Sequence, residues 1–174
     1  MDMNSEKHIV ITTVDSPLGP VTMASDGEAL TGLCLVGQKY YASAIGAGTR
    51  AGECPVFDEC RRWLDIYMGG KEPDFMPLIR LSGSDFRREV WEILRQIPYG
   101  KTMTYGQIAE LIAKKRGLPR MSAQAVGGAV GHNPVSILVP CHRVLGSDGS
   151  LTGYAGGIEL KAKLLELEGI SFRR

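Results

Sequence analysis

The stretch between Pro73 and Gly83 most constrains how this chain can fold, because the pattern of apolar residues changes on either side of it. Pro73, Pro77 and Gly83 interrupt any regular element there, so the stretch reads as a linker. Before it come short β-rich runs at residues 8–14, 21–24 and 30–36. The turn sequences Asp15-Ser16-Pro17-Leu18-Gly19 and Asp26-Gly27 separate these runs, which predicts an antiparallel meander. Residues 46–52 carry no pattern and are expected to form a loop. Pro55 then opens a helix on which Val56, Cys60, Trp63, Leu64 and Tyr67 recur at helical spacing, ending at Gly69-Gly70. That stripe is expected to pack on the sheet, and neither Trp63 nor Tyr67 is given any chemistry.

After the linker the chain reads as helices. Ser84 can cap a helix with Phe86, Val90, Ile93, Leu94 and Ile97 on one face, stopped by Pro98-Tyr99-Gly100. Thr104 and Gln107 form a capping-box pattern ahead of Ile108, Leu111 and Ile112, and Gly117-Leu118-Pro119 ends that helix. A third helix starts near Ser122 and runs through Ala123-Gln124-Ala125-Val126-Gly127-Gly128-Ala129-Val130, so that two short helices in succession suggest a helix-turn-helix. Glycine inside a helix costs about 1 kcal/mol relative to alanine, so Gly127 and Gly128 call for a reason. Close packing on another helix and close approach to a nucleic-acid groove are equally good reasons. The expected architecture is α+β, with an N-terminal α/β domain at residues 1–78 and a mostly helical domain at residues 79–174.

The chemistry centres on Val139-Pro140-Cys141-His142-Arg143-Val144. Proline disfavours helix in the residue before it, so Cys141 is expected where the extended run 135–139 stops, facing a pocket. A thiolate is the nucleophilic form of cysteine, and a nearby imidazole can take its proton. Neighbouring side chains of an extended segment point apart, so a water molecule or a tight turn is expected to connect Cys141 and His142, with a carboxylate orienting the imidazole. Cys34, Cys54 and Cys60 lack C-x-x-C spacing and the chain has three histidines, so no metal site is expected. The opening residues have no apolar signal core, and no run is long enough to span a bilayer, so an intracellular protein is expected, cytoplasmic in a bacterium or nuclear in a eukaryote. Residues 1–82 hold 7 Lys and Arg against 11 Asp and Glu, whereas residues 83–174 hold 13 against 8. The second half is therefore the basic one, in modest agreement with a nucleic-acid partner.

Asn133-Pro134, Pro140-Cys141-His142-Arg143-Val144, Gly153-Tyr154-Ala155-Gly156-Gly157 and a helix ending at Glu168-Gly169 follow in order. This pattern closely resembles the O6-alkylguanine-DNA alkyltransferases, also called methylated-DNA-protein-cysteine methyltransferases. It does so specifically over residues 84–170 and more loosely before them. The resemblance implies a ribonuclease H-like N-terminal domain and a winged helix-turn-helix domain carrying the cysteine. It also implies Cys141 as alkyl acceptor, His142 as its water-linked base, Glu168 as the carboxylate orienting His142, and Asn133 as the residue holding the active-site turn. Tyr105 would donate to the target base and help turn the 3′ phosphate. Val130, Val144, Tyr154, Ala155 and Gly156 would line the base pocket, and Lys161 would hold the loop of residues 154–157.

Thr104, Tyr105, Ser122, Ala123, Gln124, Ala125, Gly127, Gly128 and Gly131 would meet the minor groove of double-stranded DNA containing O6-alkylguanine, with little sequence specificity. The implied reaction needs no cofactor, turns the damaged nucleotide out of the duplex, and leaves a thioether on Cys141, one lesion per molecule. The zinc that some relatives carry is not implied, because no cysteine precedes Cys34. One departure stands out: many relatives have an arginine at the position of Gln124, where it fills the gap left by the flipped nucleotide. A monomer is expected. Two other classes stay open, a non-catalytic module that binds alkylated DNA and a Cys-His-Glu hydrolase.

Overall fold

The computed structural model describes residues 8–174; residues 1–7, on which the reading of the opening segment rests, lie outside the described residues. The meander forms as its turns dictate. Strand β1 (Ile9–Val14) pairs antiparallel with β2 (Val21–Ser25), and β2 with β3 (Leu30–Leu35). Every residue of β2 is buried, as a central strand covered on both faces requires.

Residues 46–52 are not simply a loop. After a short helix α1 (Tyr41–Ile45), β4 (Thr49–Ala51) pairs parallel with β1 and gives the sheet order β3-β2-β1-β4. All three β4 residues are exposed. The strand is held by main-chain bonds at an edge, and no alternation of apolar residues marks it. Helix α2 (Pro55–Met68) then buries Val56, Phe57, Cys60, Trp63, Leu64 and Tyr67, the predicted stripe with Phe57 added.

The edge of β3 is where the two halves join. Leu30 donates to the Leu78 carbonyl (2.7 Å) and accepts from Arg80 (3.0 Å), while Leu33 donates to Pro134 (2.9 Å) and accepts from Ser136 (2.9 Å). An open strand edge is thus closed by the linker and by the segment leading to Cys141. Helix α3 (Asp85–Arg95) is capped by Ser84, and Thr104 and Gln107 complete a reciprocal capping box on α4 (Tyr105–Arg116). Ser122 caps α5 (Ala123–Gly131), and Trp91 ties α3 to α5 by donating to the Ala129 carbonyl (2.8 Å). Strands β5 (Met103–Thr104) and β6 (Val144–Leu145) form a two-stranded wing, and α6 (Ile158–Leu167) closes the fold.

The run 135–139 is not extended. It is a series of tight turns in which Ile137 has φ +72°, and Cys141–Arg143 form a single 3₁₀ turn. Asn133 supplies the bonds a sheet would have given. Its amide donates to the carbonyls of Val139 (2.8 Å) and Val135 (3.2 Å), and its carbonyl accepts from the Val135 N–H (3.0 Å). Val135, Ile137, Leu138 and Val139 are all buried, so the continuous apolar run reflects burial on all sides. One hydrophobic core runs from β2 and β3 through α2 to α3, α4, α5 and Cys141. Among the described residues no helix is long and apolar enough to cross a membrane.

Candidate active site

The 3₁₀ turn aims Cys141 and His142 in different directions, and among the described residues no hydrogen bond joins them. Cys141 is 4% exposed. Burial raises its pKa, against which the Asn133 amide, the positive Lys161 and the Tyr154 hydroxyl favour the thiolate. Cys34 and Cys60 have little such help, and burial pushes both thiols up to about 12. The resting Cys141 is therefore a thiol, and it needs a base.

His142 is fully buried and meets Glu168 through Nε2, 2.6 Å from Oε2. Its Nδ1 is buried without a hydrogen-bond partner. Burial holds His142 below its usual pKa although Glu168 opposes this, so the imidazole is neutral. Glu168 follows the last residue of α6 and is buried, which by itself would raise its pKa. Hydrogen bonds from His142, the Gly100 N–H and Tyr67, with the attraction of the His142 ring once it is charged, outweigh burial and hold the carboxyl down at about 2. The carboxylate accepts from His142, Tyr67 (2.6 Å), Arg143 (2.8 Å) and the Gly100 N–H (3.0 Å).

A cavity of about 560 Å³ is lined by Tyr154, whose hydroxyl acts on Cys141. Cys141, His142 and Glu168 do not themselves line it, so the thiol does not open directly onto this pocket, contrary to expectation. Of the predicted residues the cavity brings together Tyr105, Ala123, Gln124, Gly127, Gly128, Gly131, Tyr154 and Ala155. The Tyr105 hydroxyl is only weakly engaged, 3.4 Å from the carbonyls of Thr152 and Gly153. A methyl group added at Gly127 would rest on the Tyr105 ring at 3.8 Å, whereas at Gly128 and Gly131 it would meet open space. Helix packing therefore does not explain Gly128.

Other predicted residues lie elsewhere. Val130 and Val144 are buried in the core and do not line the cavity. Gly156 lines a neighbouring cavity, and a side chain there would collide with Leu160 and crowd the Tyr154 ring. Thr104 and Ser122 act as helix caps, and Ala125 is exposed beside Gln124. Lys161 is buried and donates to the carbonyls of Val144 (2.5 Å) and Thr152 (2.9 Å). It clamps the segment ahead of the Tyr154 loop, and its pKa falls to about 8 through burial.

Sequence reasoning missed several participants. Arg143 lies within the Pro-Cys-His-Arg motif, and besides Glu168 it donates to the Ile97 carbonyl (2.7 Å). From the N-terminal half, Lys39 donates its backbone N–H to the Ala155 carbonyl (2.9 Å), and the Tyr40 ring stacks on His132 at 3.9 Å. Gln38 donates to the buried Ser136 hydroxyl (3.1 Å). Tyr67, expected only to pack, touches both His142 and Glu168. An aromatic residue within an apolar stripe gives no sequence signal that its hydroxyl meets a buried histidine-carboxylate pair.

Residues 9–81 match the model of the 6-O-methylguanine DNA methyltransferase ribonuclease-like domain, and residues 85–170 that of the same family's DNA-binding domain. The methylated-DNA-protein-cysteine methyltransferase of Mycobacterium tuberculosis is 46% identical over 156 residues, covering 90% of each chain. That of Methanosarcina acetivorans is 41% identical over 155 residues, covering 89% of this chain and 95% of its own. The crystal structure of M. tuberculosis OGT in complex with DNA superimposes with a TM-score of 0.78 at 42% identity, over 92% of each chain. Both family models in chain order, together with this level of identity over nearly the whole length, establish that the chain belongs to the 6-O-methylguanine DNA methyltransferase family.

Proposed function

We propose that this protein repairs double-stranded DNA by moving the alkyl group of O6-alkylguanine irreversibly onto Cys141. The observation that carries this reading is a neutral His142-Glu168 pair and a buried thiol on which Tyr154 acts from the wall of a cavity that the small residues of α5 also line. A base within a duplex cannot reach such a thiol, so the damaged nucleotide is turned out of the stack, and α5 lies in the minor groove as this happens.

The Cys141 proton passes through a bridging water to Nδ1 of His142, and Glu168 stabilises the imidazolium that results. The thiolate attacks the alkyl carbon, an S–C bond forms, and the C–O6 bond breaks with its electron pair leaving on guanine. Tyr105 supplies a proton to the departing base and is reprotonated from the imidazolium by way of solvent. The sum is thiol plus O6-alkylguanine giving thioether plus guanine. Water does not cleave a thioether under mild conditions, so each molecule acts once. Asn133 and Lys161 hold the turn and the loop around the thiol, and binding is by a monomer with little sequence preference.

Incubation with a duplex carrying one O6-methylguanine, followed by intact-mass analysis and peptide mapping, tests this. The expected result is a single methylation on Cys141, saturating at one per molecule and absent from Cys141→Ser. Repair without a mass change would indicate turnover and hence a hydrolase. Tight binding with neither would indicate a non-catalytic module.

A further inference from the structure

The N-terminal half reaches the His142–Glu168 pair through the side chain of Tyr67. Tyr67, on the inner face of α2, is fully buried, and its hydroxyl donates to Glu168 Oε2 (2.6 Å) while lying 3.2 Å from His142 Nε2. His142 Nε2 is itself 2.6 Å from the same Oε2, so three polar atoms form a closed triangle. The proton count within it is determined. A carboxylate whose other oxygen accepts from the Arg143 guanidinium and the Gly100 N–H is ionised and has no proton to give, so both neighbours of Oε2 must be donors. The one hydroxyl proton of Tyr67 goes to Glu168, and the phenolic oxygen can then only accept from His142. Nε2 therefore carries the imidazole proton, and Nδ1 is bare.

We propose that Tyr67 is a positioning residue for alkyl transfer. It holds Glu168 and His142 in the Nε2–H tautomer that leaves Nδ1 free to take the Cys141 proton. The geometry also explains why α2 should matter to chemistry carried out by the other half of the chain. Trp63 stacks on Tyr67 at 5.1 Å, and Tyr99 meets it edge-on at 6.1 Å, so the phenol has little freedom to turn away. The inference deepens the alkyl-transfer reading and rests on it for the role of Nδ1, but the tautomer can be measured without any DNA.

The chain has three histidines, His8, His132 and His142, so nitrogen NMR of histidine-labelled protein can resolve the His142 ring. The free wild-type protein is expected to show a protonated Nε2 and an unprotonated Nδ1. In Tyr67→Phe the ring should become a mixture of tautomers. The single-turnover rate at saturating O6-methylguanine duplex should fall about tenfold, or ~1.4 kcal/mol, with DNA affinity unchanged. Trp63→Phe serves as the packing control, expected to reduce stability while leaving the tautomer as in wild type. A protonated Nδ1 in the wild-type protein would overturn the proposal even if Tyr67→Phe failed to fold. A Tyr67→Phe protein with an unchanged imidazole would overturn it too, whatever its rate. Failure of the wild-type protein to methylate Cys141 would instead sink the alkyl-transfer reading, leaving the tautomer measurement to stand by itself.

Discussion

Glu168 accepts from four donors on two oxygens, Tyr67 and His142 on Oε2 and Arg143 and Gly100 on Oε1. Stability should depend on acidity accordingly, and the sign follows from which state binds more protons. His142 has a folded pKa below its usual 6.5, so the unfolded chain takes up a proton first and stability starts to fall below that pH. Glu168 titrates near 4.5 when unfolded and at about 2 when folded. Its contribution is complete above 4.5 and lost as pH falls towards 2. Urea unfolding followed at stepped pH should show both losses, and Glu168→Gln should flatten the lower one. Arg143→Ala would leave a buried carboxylate short of its cation, with an expected cost of about 3–5 kcal/mol. Urea midpoints at neutral pH would check it, and a variant as stable as wild type would mean that the pair contributes nothing net.

At the scale of the element, α5 gives up helix stability for a smooth surface. Gly128 faces open space, so Gly128→Ala should raise stability by up to about 1 kcal/mol. The added methyl should at the same time weaken binding to duplex DNA, read by thermal unfolding and by titration of a labelled duplex. A variant that is more stable and binds equally well would show that α5 does not approach DNA along this face. Gln124 is exposed on the cavity wall and carries no charge. Gln124→Arg should bind DNA more tightly, and log affinity should fall more steeply with log salt, by about 0.9 for one added phosphate contact. Equal slopes would place position 124 away from the phosphates.

For the whole molecule, one core and the closed edge of β3 make the two halves a single mechanical unit. Trp63 lies in α2 and Trp91 in α3, one in each half, and both are buried. Urea unfolding followed by fluorescence in Trp63→Phe, which reports only on Trp91, and in Trp91→Phe, which reports only on Trp63, should each give one transition coincident with circular dichroism. Separate transitions seen by fluorescence and circular dichroism within either variant would show that the halves unfold independently. The same unity lets α2 reach Glu168 and lets the Lys39 main chain hold Ala155, so substitution of Tyr67 should register in the chemistry.

Local patterns determined most of the elements from the sequence alone. The caps at Ser84, Thr104 and Ser122, the stripe on α2 and the turns of the meander act over a few residues, where side chains bond to their own backbone. The pairing of His142 with Glu168 was expected through the family resemblance, whereas the cavity that Tyr105 and Tyr154 share with α5 residues was not, since those of α5 were expected only against DNA. Only the tertiary structure decided the rest. Strand β4 exists because β1 offers an edge, and the run 135–139 turns because Asn133 satisfies its carbonyls while the core surrounds it. The Tyr67 hydroxyl meets the His142 ring from 75 residues away in sequence. Such contacts join residues that local propensity treats as unrelated, so no reading of α2 by itself distinguishes a packed phenol from one that orients a base.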